Sequence, residues 1–150
     1  MKPIRTWILI ADAGRARVLE NLGPGKGTRP LDGLASVSAI PSSTSEIVAD
    51  RQGRSFESSS ATRHPLTPPT DPRQQLKRAY LEMLADQIDE RLQAGAFDRL
   101  VVVAPPAALG VLRGAFSDRV SAAIAGELPK DLTKTPDIEL APLLEDVIRI

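Results

Sequence analysis

The amino-acid sequence predicts a single three-layer α/β domain on a mixed sheet that opens with a β-hairpin. Three features of the chain point there. Its 150 residues match one ordinary domain. Hydrophobic residues at 42% and charged residues at 25% are globular proportions and exclude wholesale disorder. Strand patterns come first and strand–helix alternation follows, which places helices on the faces of a sheet. A chain of this size buries roughly 68–70% of its unfolded surface, enough for a core without staples.

Thr6–Ala11 is apolar nearly throughout, as in a strand buried on both faces. Asp12-Ala13-Gly14 reads as a turn in which Gly14 supplies the positive φ of a tight hairpin. Residues 15–20 then alternate, with Ala16 and Val18 on one face and Arg15, Arg17 and Leu19 on the other, predicting a half-exposed second strand. Gly23-Pro24-Gly25-Lys26-Gly27 is a loop rich in breakers. A weak third strand is expected over 34–40, closed by Pro41, and a short helix over 43–49. Residues 51–72 carry four prolines, little large apolar content beyond Phe56 and Leu66, and no periodicity; a connector this long is usually functional or disordered.

The clearest helix follows. Asp71 suits the N-cap, Pro72 the first helical position, and Gln74 completes a capping-box pattern. Leu76, Tyr80, Met83, Leu84, Ile88 and Leu92 form one apolar stripe, and Gly95 closes the helix as its C′ residue. Phe97 and residues 100–104 predict a buried, central, parallel strand. Pro105-Pro106 opens a helix carrying Leu109 and Leu112. Residues 120–128 alternate as a strand does, although a helix also fits them. Pro136 starts a last helix whose expected apolar face is Ile138, Leu140, Leu143, Leu144, Val147 and Ile148.

Composition removes several classes of chemistry. The chain has no cysteine, which excludes disulfide scaffolds, thiolate zinc sites, iron–sulfur clusters and cysteine nucleophiles. Its one histidine, His64, excludes a multi-histidine metal site. Aromatic residues at 3% argue against a stacking platform for single strands. Neither Gly-x-x-x-x-Gly-Lys-Ser/Thr nor Gly-x-Gly-x-x-Gly follows a strand, so no nucleotide cofactor is expected, nor any other. Lys2, Arg5 and the apolar run 7–11 imitate a signal peptide, but the run falls short of the ~7–15 residues a signal needs. The longest uncharged stretch, 100–112, is broken by two prolines and is shorter than the ~18 residues of a spanning helix. The expected location is therefore cytoplasmic, without membrane contact.

Charge is the informative asymmetry. The net charge is zero, yet residues 1–78 hold 12 Lys/Arg against 7 Asp/Glu, and residues 79–150 hold 7 against 12. Arginine outnumbers lysine 14 to 5, which favours forked contacts to phosphate or carboxylate. Arg51, Arg54, Arg63, His64, Arg73, Lys77 and Arg78 lie in or beside the long connector. Gly53 gives the backbone freedom, and Ser55, Ser58, Ser59 and Ser60 add hydrogen-bonding groups for phosphate oxygens. The connector feeds a helix N-terminus, whose N–H groups and dipole favour an anion. An RNA contact made there would use the phosphate backbone and depend on salt. The alternative is an ordinary solvated loop paired with the acidic half of the molecule.

Two catalytic readings are weaker. Asp12 stands at the end of the first buried strand, where ribonuclease-H-like and phosphotransferase folds hold Mg²⁺. Further acids would have to converge: Asp98 precedes its strand and belongs at the opposite edge, and Asp131 reaches Asp12 only if its loop swings across. The structural reading of Asp12 is a turn residue bonding its own backbone. His64 beside the serines suggests a Ser–His hydrolase, but Gly53-Arg54-Ser55-Phe56 lacks the second glycine of a nucleophile elbow and no acid is spaced to orient His64.

Six blocks in order carry a family resemblance. They are the run from Trp7-Ile8-Leu9-Ile10-Ala11-Asp12-Ala13-Gly14 through Arg15-Ala16-Arg17, Asp50-Arg51-Gln52-Gly53-Arg54-Ser55-Phe56-Glu57-Ser58 with Arg63-His64, Asp71-Pro72, Phe97-Asp98-Arg99-Leu100-Val101-Val102-Val103-Ala104-Pro105-Pro106, Leu109-Gly110-x-Leu112-Arg113, and Lys130-Asp131-Leu132-Thr133-Lys134. Across nearly its whole length the sequence resembles the bacterial host-attachment protein family, and more distantly the middle domain of archaeal and eukaryotic peptide-release factors. The resemblance implies a ribonuclease-H-like or ribosomal-protein-like α/β fold. In release factors the loop before the long helix carries a Gly-Gly-Gln tripeptide into the ribosome; the matching loop here holds Gln52-Gly53-Arg54 instead. What the resemblance carries over is the loop's place and basic character, through Arg51, Gly53, Arg54, Ser55, Arg63 and His64. The expected function is a non-catalytic, translation-related contact with RNA or the ribosome, with no DNA contact. The alternatives are a metal-dependent hydrolase centred on Asp12, or an interaction protein that affects cell attachment indirectly.

Overall fold

The computed structural model describes residues 4–31, 71–148 and Ile150. The strand expected over 34–40, the helix over 43–49 and the connector from 51 to 70 lie outside these residues.

Among the described residues five strands form one mixed sheet in the order β3-β2-β1-β4-β5. They are β1 (Thr6–Ala11), β2 (Ala16–Asn21), β3 (Thr28–Leu31), β4 (Arg99–Val103) and β5 (Ile124–Leu128). β1, β4 and β5 run parallel, while β2 and β3 run antiparallel to their neighbours. The helices are α1 (Pro72–Gln93), α2 (Pro106–Ala115), α3 (Asp118–Ala123) and α4 (Leu140–Leu144), with a 3-10 turn at Asp137–Glu139. The expected three layers are present. Trp7, Leu9, Ala11, Ala16, Val18, Leu100 and Val102 face α1, α2 and α3, and the other sheet face packs Ile8, Ile10, Leu19, Val101 and Val103 against Leu132, Leu140 and Leu144.

β1 and β4 are buried on both faces, as their unbroken apolar runs require. Trp7 and Phe97 stack tilted, with ring centroids 4.7 Å apart, at the start of β1. α1 begins and ends where its signals lie: Asp71 Oδ1 accepts the Arg73 amide at 2.9 Å, and Gly95 takes φ +78 past the last turn.

Three local expectations need correction. β2 is less open than expected: Leu19, placed on its exposed face, enters the second core, and Arg17, Glu20 and Asn21 are half-buried. β3, which the sequence reading did not expect, spans Thr28–Leu31 and includes Pro30; the glycine-rich segment before it is a hairpin turn, in which Gly23, Gly25 and Gly27 take positive φ. The Leu22 amide donates to Gly27 O, and antiparallel pairs alternate, so Leu19–Pro30 is a non-bonded pair with the proline nitrogen turned outward. Gly14 does not take positive φ, because a four-residue connection closed by Asp12 N–H to Arg15 O needs no left-handed residue there.

The third correction concerns the C-terminal third. Residues 120–128 divide: Ser117 caps α3 by accepting the Val120 amide, and β5 starts only at Ile124. The last helix starts at Leu140, not at Pro136. Pro142 has no amide and fits only a first turn, so 137–139 tightens to a 3-10 turn instead. Leu140 and Leu144, four apart, are the buried seam, whereas Ile138 is 88% and Leu143 39% exposed.

Candidate functional site

The carboxyl edge of the parallel strands gathers the polar chemistry. β1 ends at Asp12, whose Oδ1 accepts the amides of Gly14 at 2.7 Å and Arg15 at 2.8 Å. This is the structural role read from the sequence, a carboxylate closing its own turn.

The loop after β5 does swing across to it. Thr133 Oγ1 lies 2.6 Å from Asp131 Oδ1 and 3.3 Å from Asp12 Oδ2. One hydroxyl hydrogen serves one acceptor at a time, and the shorter contact takes it. The Thr133 amide also donates to Asp131 Oδ1, at 3.1 Å. The Thr133 hydroxyl chiefly, then its amide and the charges of Lys134 and Arg15, hold the Asp131 carboxyl below its ordinary value of 3.8 against a desolvation that acts to raise it.

Arg17 fastens the same loop from β2. Its guanidinium donates to Asp137 Oδ1 at 2.7 Å, to Leu132 O at 2.8 Å and to Thr135 O. The Leu132 side chain is buried in the second core. The loop is therefore pinned by one apolar anchor and one forked cation. Sequence reasoning passed over both contacts. The available signals were Asp131-Leu132-Thr133, an acid two residues before a hydroxyl, and an arginine sharing the face of a buried leucine in a core strand.

α1 supplies the other wall. Arg5, just before β1, donates to Gly95 O past the C-terminus of α1, while Tyr80 lies in the field of Asp12 at the end of β1. The helix thus runs antiparallel to β1, and its N-terminus belongs to the carboxyl edge. Burial, then the charge of Asp12, pushes the Tyr80 phenol up to about 12. Tyr80 is the first buried residue of α1. The eight residues before it, at a rise of 1.5 Å each, overhang the sheet by roughly 12 Å.

That overhang is basic. Arg73, Lys77, Tyr80, Leu84 and Ile88 fall at helical spacing on one stripe; the last three are buried and the first two exposed. Beyond Tyr80 the core-facing side of α1 keeps Leu76 half-buried and carries Arg73 and Lys77 exposed. No acid occupies the first turn, so these charges stand at the positive end of the helix dipole. Asp71 and Arg73 lie 3.9 Å apart, and Arg78 meets Glu82 at 3.7 Å; such exposed pairs hold their partners weakly.

Of the residues expected to contact an anion, Arg73 stands on this overhang, while Arg51, Gly53, Arg54, Ser55, Arg63 and His64 lie outside the described residues. Asp98 is at the opposite edge, as expected: it accepts the Arg5 amide at 2.8 Å before β1 begins. Among the described residues no three His, Cys, Asp or Glu side chains gather to hold a metal ion. No described helix is long and apolar enough to cross a membrane.

The fold and this edge define an α/β domain with a mixed five-stranded sheet and a polar, partly cationic carboxyl edge. The family model described as "Protein required for attachment to host cells" matches residues 7–144. The chain belongs to that host-attachment family. None of the curated proteins matches it.

Proposed function

We propose that this host-attachment protein is a non-catalytic, cytoplasmic domain that contacts RNA or the ribosome through cationic groups at the carboxyl edge of its sheet. The observation that carries the reading is the basic overhang of α1. Arg73 and Lys77 continue the helix's core stripe into solvent at the end where the dipole is already positive. Such charges oppose the local field of the helix, so they stabilise the protein less there than acids would, and a polyanion supplies the missing counter-charge. The connector adds Arg51, Arg54, Arg63 and His64 immediately upstream in sequence. The resemblance to release-factor middle domains favours the same class of partner. An effect on cell attachment then arises indirectly, through what the protein does in translation.

Filter binding of structured RNA and of ribosomes at two salt concentrations tests this reading. Binding that weakens steeply with salt, and that falls when Arg51, Arg54 and Arg63 all become Ala, supports it. Affinity indifferent to both removes it. A metal-dependent hydrolase centred on Asp12 is the second reading, favoured by the approach of Asp131 through Thr133.

A further inference from the structure

We propose that the overhang of α1 and the carboxyl edge below it form a ledge for the sugar–phosphate backbone of double-helical RNA. This rests on the preceding reading and narrows the partner.

The ledge has a wall and a floor. Arg73 and Lys77 project from the wall, one helical turn apart on the side that faces the sheet lower down. The floor is the β1–β2 turn and the loop after β5, with Arg15 and Lys134 both exposed and both acting on Asp131. The carboxylates of Asp12, Asp131 and Asp137 on this floor are already engaged, the last by Arg17. Asp12 Oδ1 takes two backbone amides, and Asp131 takes the Thr133 hydroxyl and amide with two cations nearby. Arg73, Lys77, Arg15 and Lys134 are therefore four exposed cations on elements that meet at the carboxyl edge, and their charge complements a row of phosphates.

The aromatic residues decide which nucleic-acid form fits. Single strands are gripped largely by stacking bases on exposed rings. Here Trp7, Tyr80, Phe97 and Phe116 are all buried in the core, leaving no stacking surface among the described residues. A duplex turns its bases inward and offers only its backbone and groove edges. A cationic ledge without rings suits that surface and reads charge and shape, not base identity.

Fluorescence anisotropy of the full chain with a labelled short RNA duplex, and separately with one of its strands, tests the proposal. Titrations run at roughly 50 and 200 mM salt, the range over which phosphate contacts lose affinity. The duplex is expected to bind more tightly than the strand whatever its sequence. An Arg73→Ala/Lys77→Ala variant is expected to bind the duplex about ten-fold more weakly and to lower the salt slope by about two, roughly one counterion per lost contact. Unchanged thermal melting of that variant shows that folding is not at issue. Arg99→Ala, at the opposite edge, is expected to bind as wild type does. Tighter binding of the single strand, or an unaltered Arg73→Ala/Lys77→Ala variant, overturns the ledge while leaving an RNA contact elsewhere standing. No binding of either form overturns both this inference and the RNA reading beneath it.

Discussion

Arg17 and Asp137 are 120 positions apart in the chain, and their side chains meet at 2.7 Å. The same guanidinium also holds the carbonyls of Leu132 and Thr135, so one β2 residue sets the path of the loop that carries Asp131 and Thr133. Arg17→Ala leaves those acceptors unmet and is expected to lower stability by about 1–3 kcal/mol in urea denaturation. Arg17→Lys recovers only part of this, because a single ammonium lacks the forked reach by which the guanidinium serves three acceptors. Full recovery by lysine would show that charge alone matters.

Asp12 gives a contrast between shape and charge. Asp12→Asn keeps an acceptor for the Gly14 and Arg15 amides and is expected to cost under about 1 kcal/mol, whereas Asp12→Ala orphans both and costs about 1–3 kcal/mol. Mg²⁺ and Mn²⁺ are expected to leave the melting temperature of wild type and Asp12→Asn alike. A metal-dependent rise seen in wild type and lost in Asp12→Asn would restore the hydrolase reading.

The two hairpin-and-helix glycines differ. Gly95→Ala places a side chain at φ +78 and is expected to destabilise by about 1 kcal/mol. At Gly14 a Cβ would meet only Asp12 Oδ1, at 3.8 Å, without a left-handed backbone, so Gly14→Ala is expected to be close to neutral. Thermal melting of the two variants ranks them; the reverse order would contradict the geometry of both turns.

Tyr80 is the single tyrosine, so phenolate absorbance reports it alone. The folded protein is expected to titrate near about 12, and the urea-unfolded chain near its ordinary 10.0. A raised value in the folded state means that this group's contribution to stability is complete below pH 10.0 and is lost as pH rises toward 12. Asp12→Asn removes the second cause and should draw the folded value partway back. A folded titration at the ordinary value would place the phenol in water.

Where local chemistry decides, the sequence was legible. β1 and α1 follow from an unbroken apolar run, an Asp-Pro start and a glycine stop. The C-terminal third was harder because its apolar residues satisfy two periods: Val120, Ile124 and Leu128 fit a helix and, with Ala122 and Gly126, also a strand. Ser117 settles the division by capping a helix too short to show periodicity. The helix expected after Pro136 begins only at Leu140, and Ile138 and Leu143 matched the period but are exposed. At the carboxyl edge Asp12 was visible through its place after a buried strand. Arg17 was not, and neither was the approach of Thr133 to Asp12, since those partners lie more than a hundred residues away in sequence.

Among the described residues, Pro30 lies in the outermost strand on one side of the sheet. With its nitrogen turned away from β2, it presents a ring where an incoming strand of another molecule would look for a donor. Replacing it by threonine or valine restores that donor, so the architecture that tolerates a proline in β3 also guards this margin against strand-by-strand polymerisation.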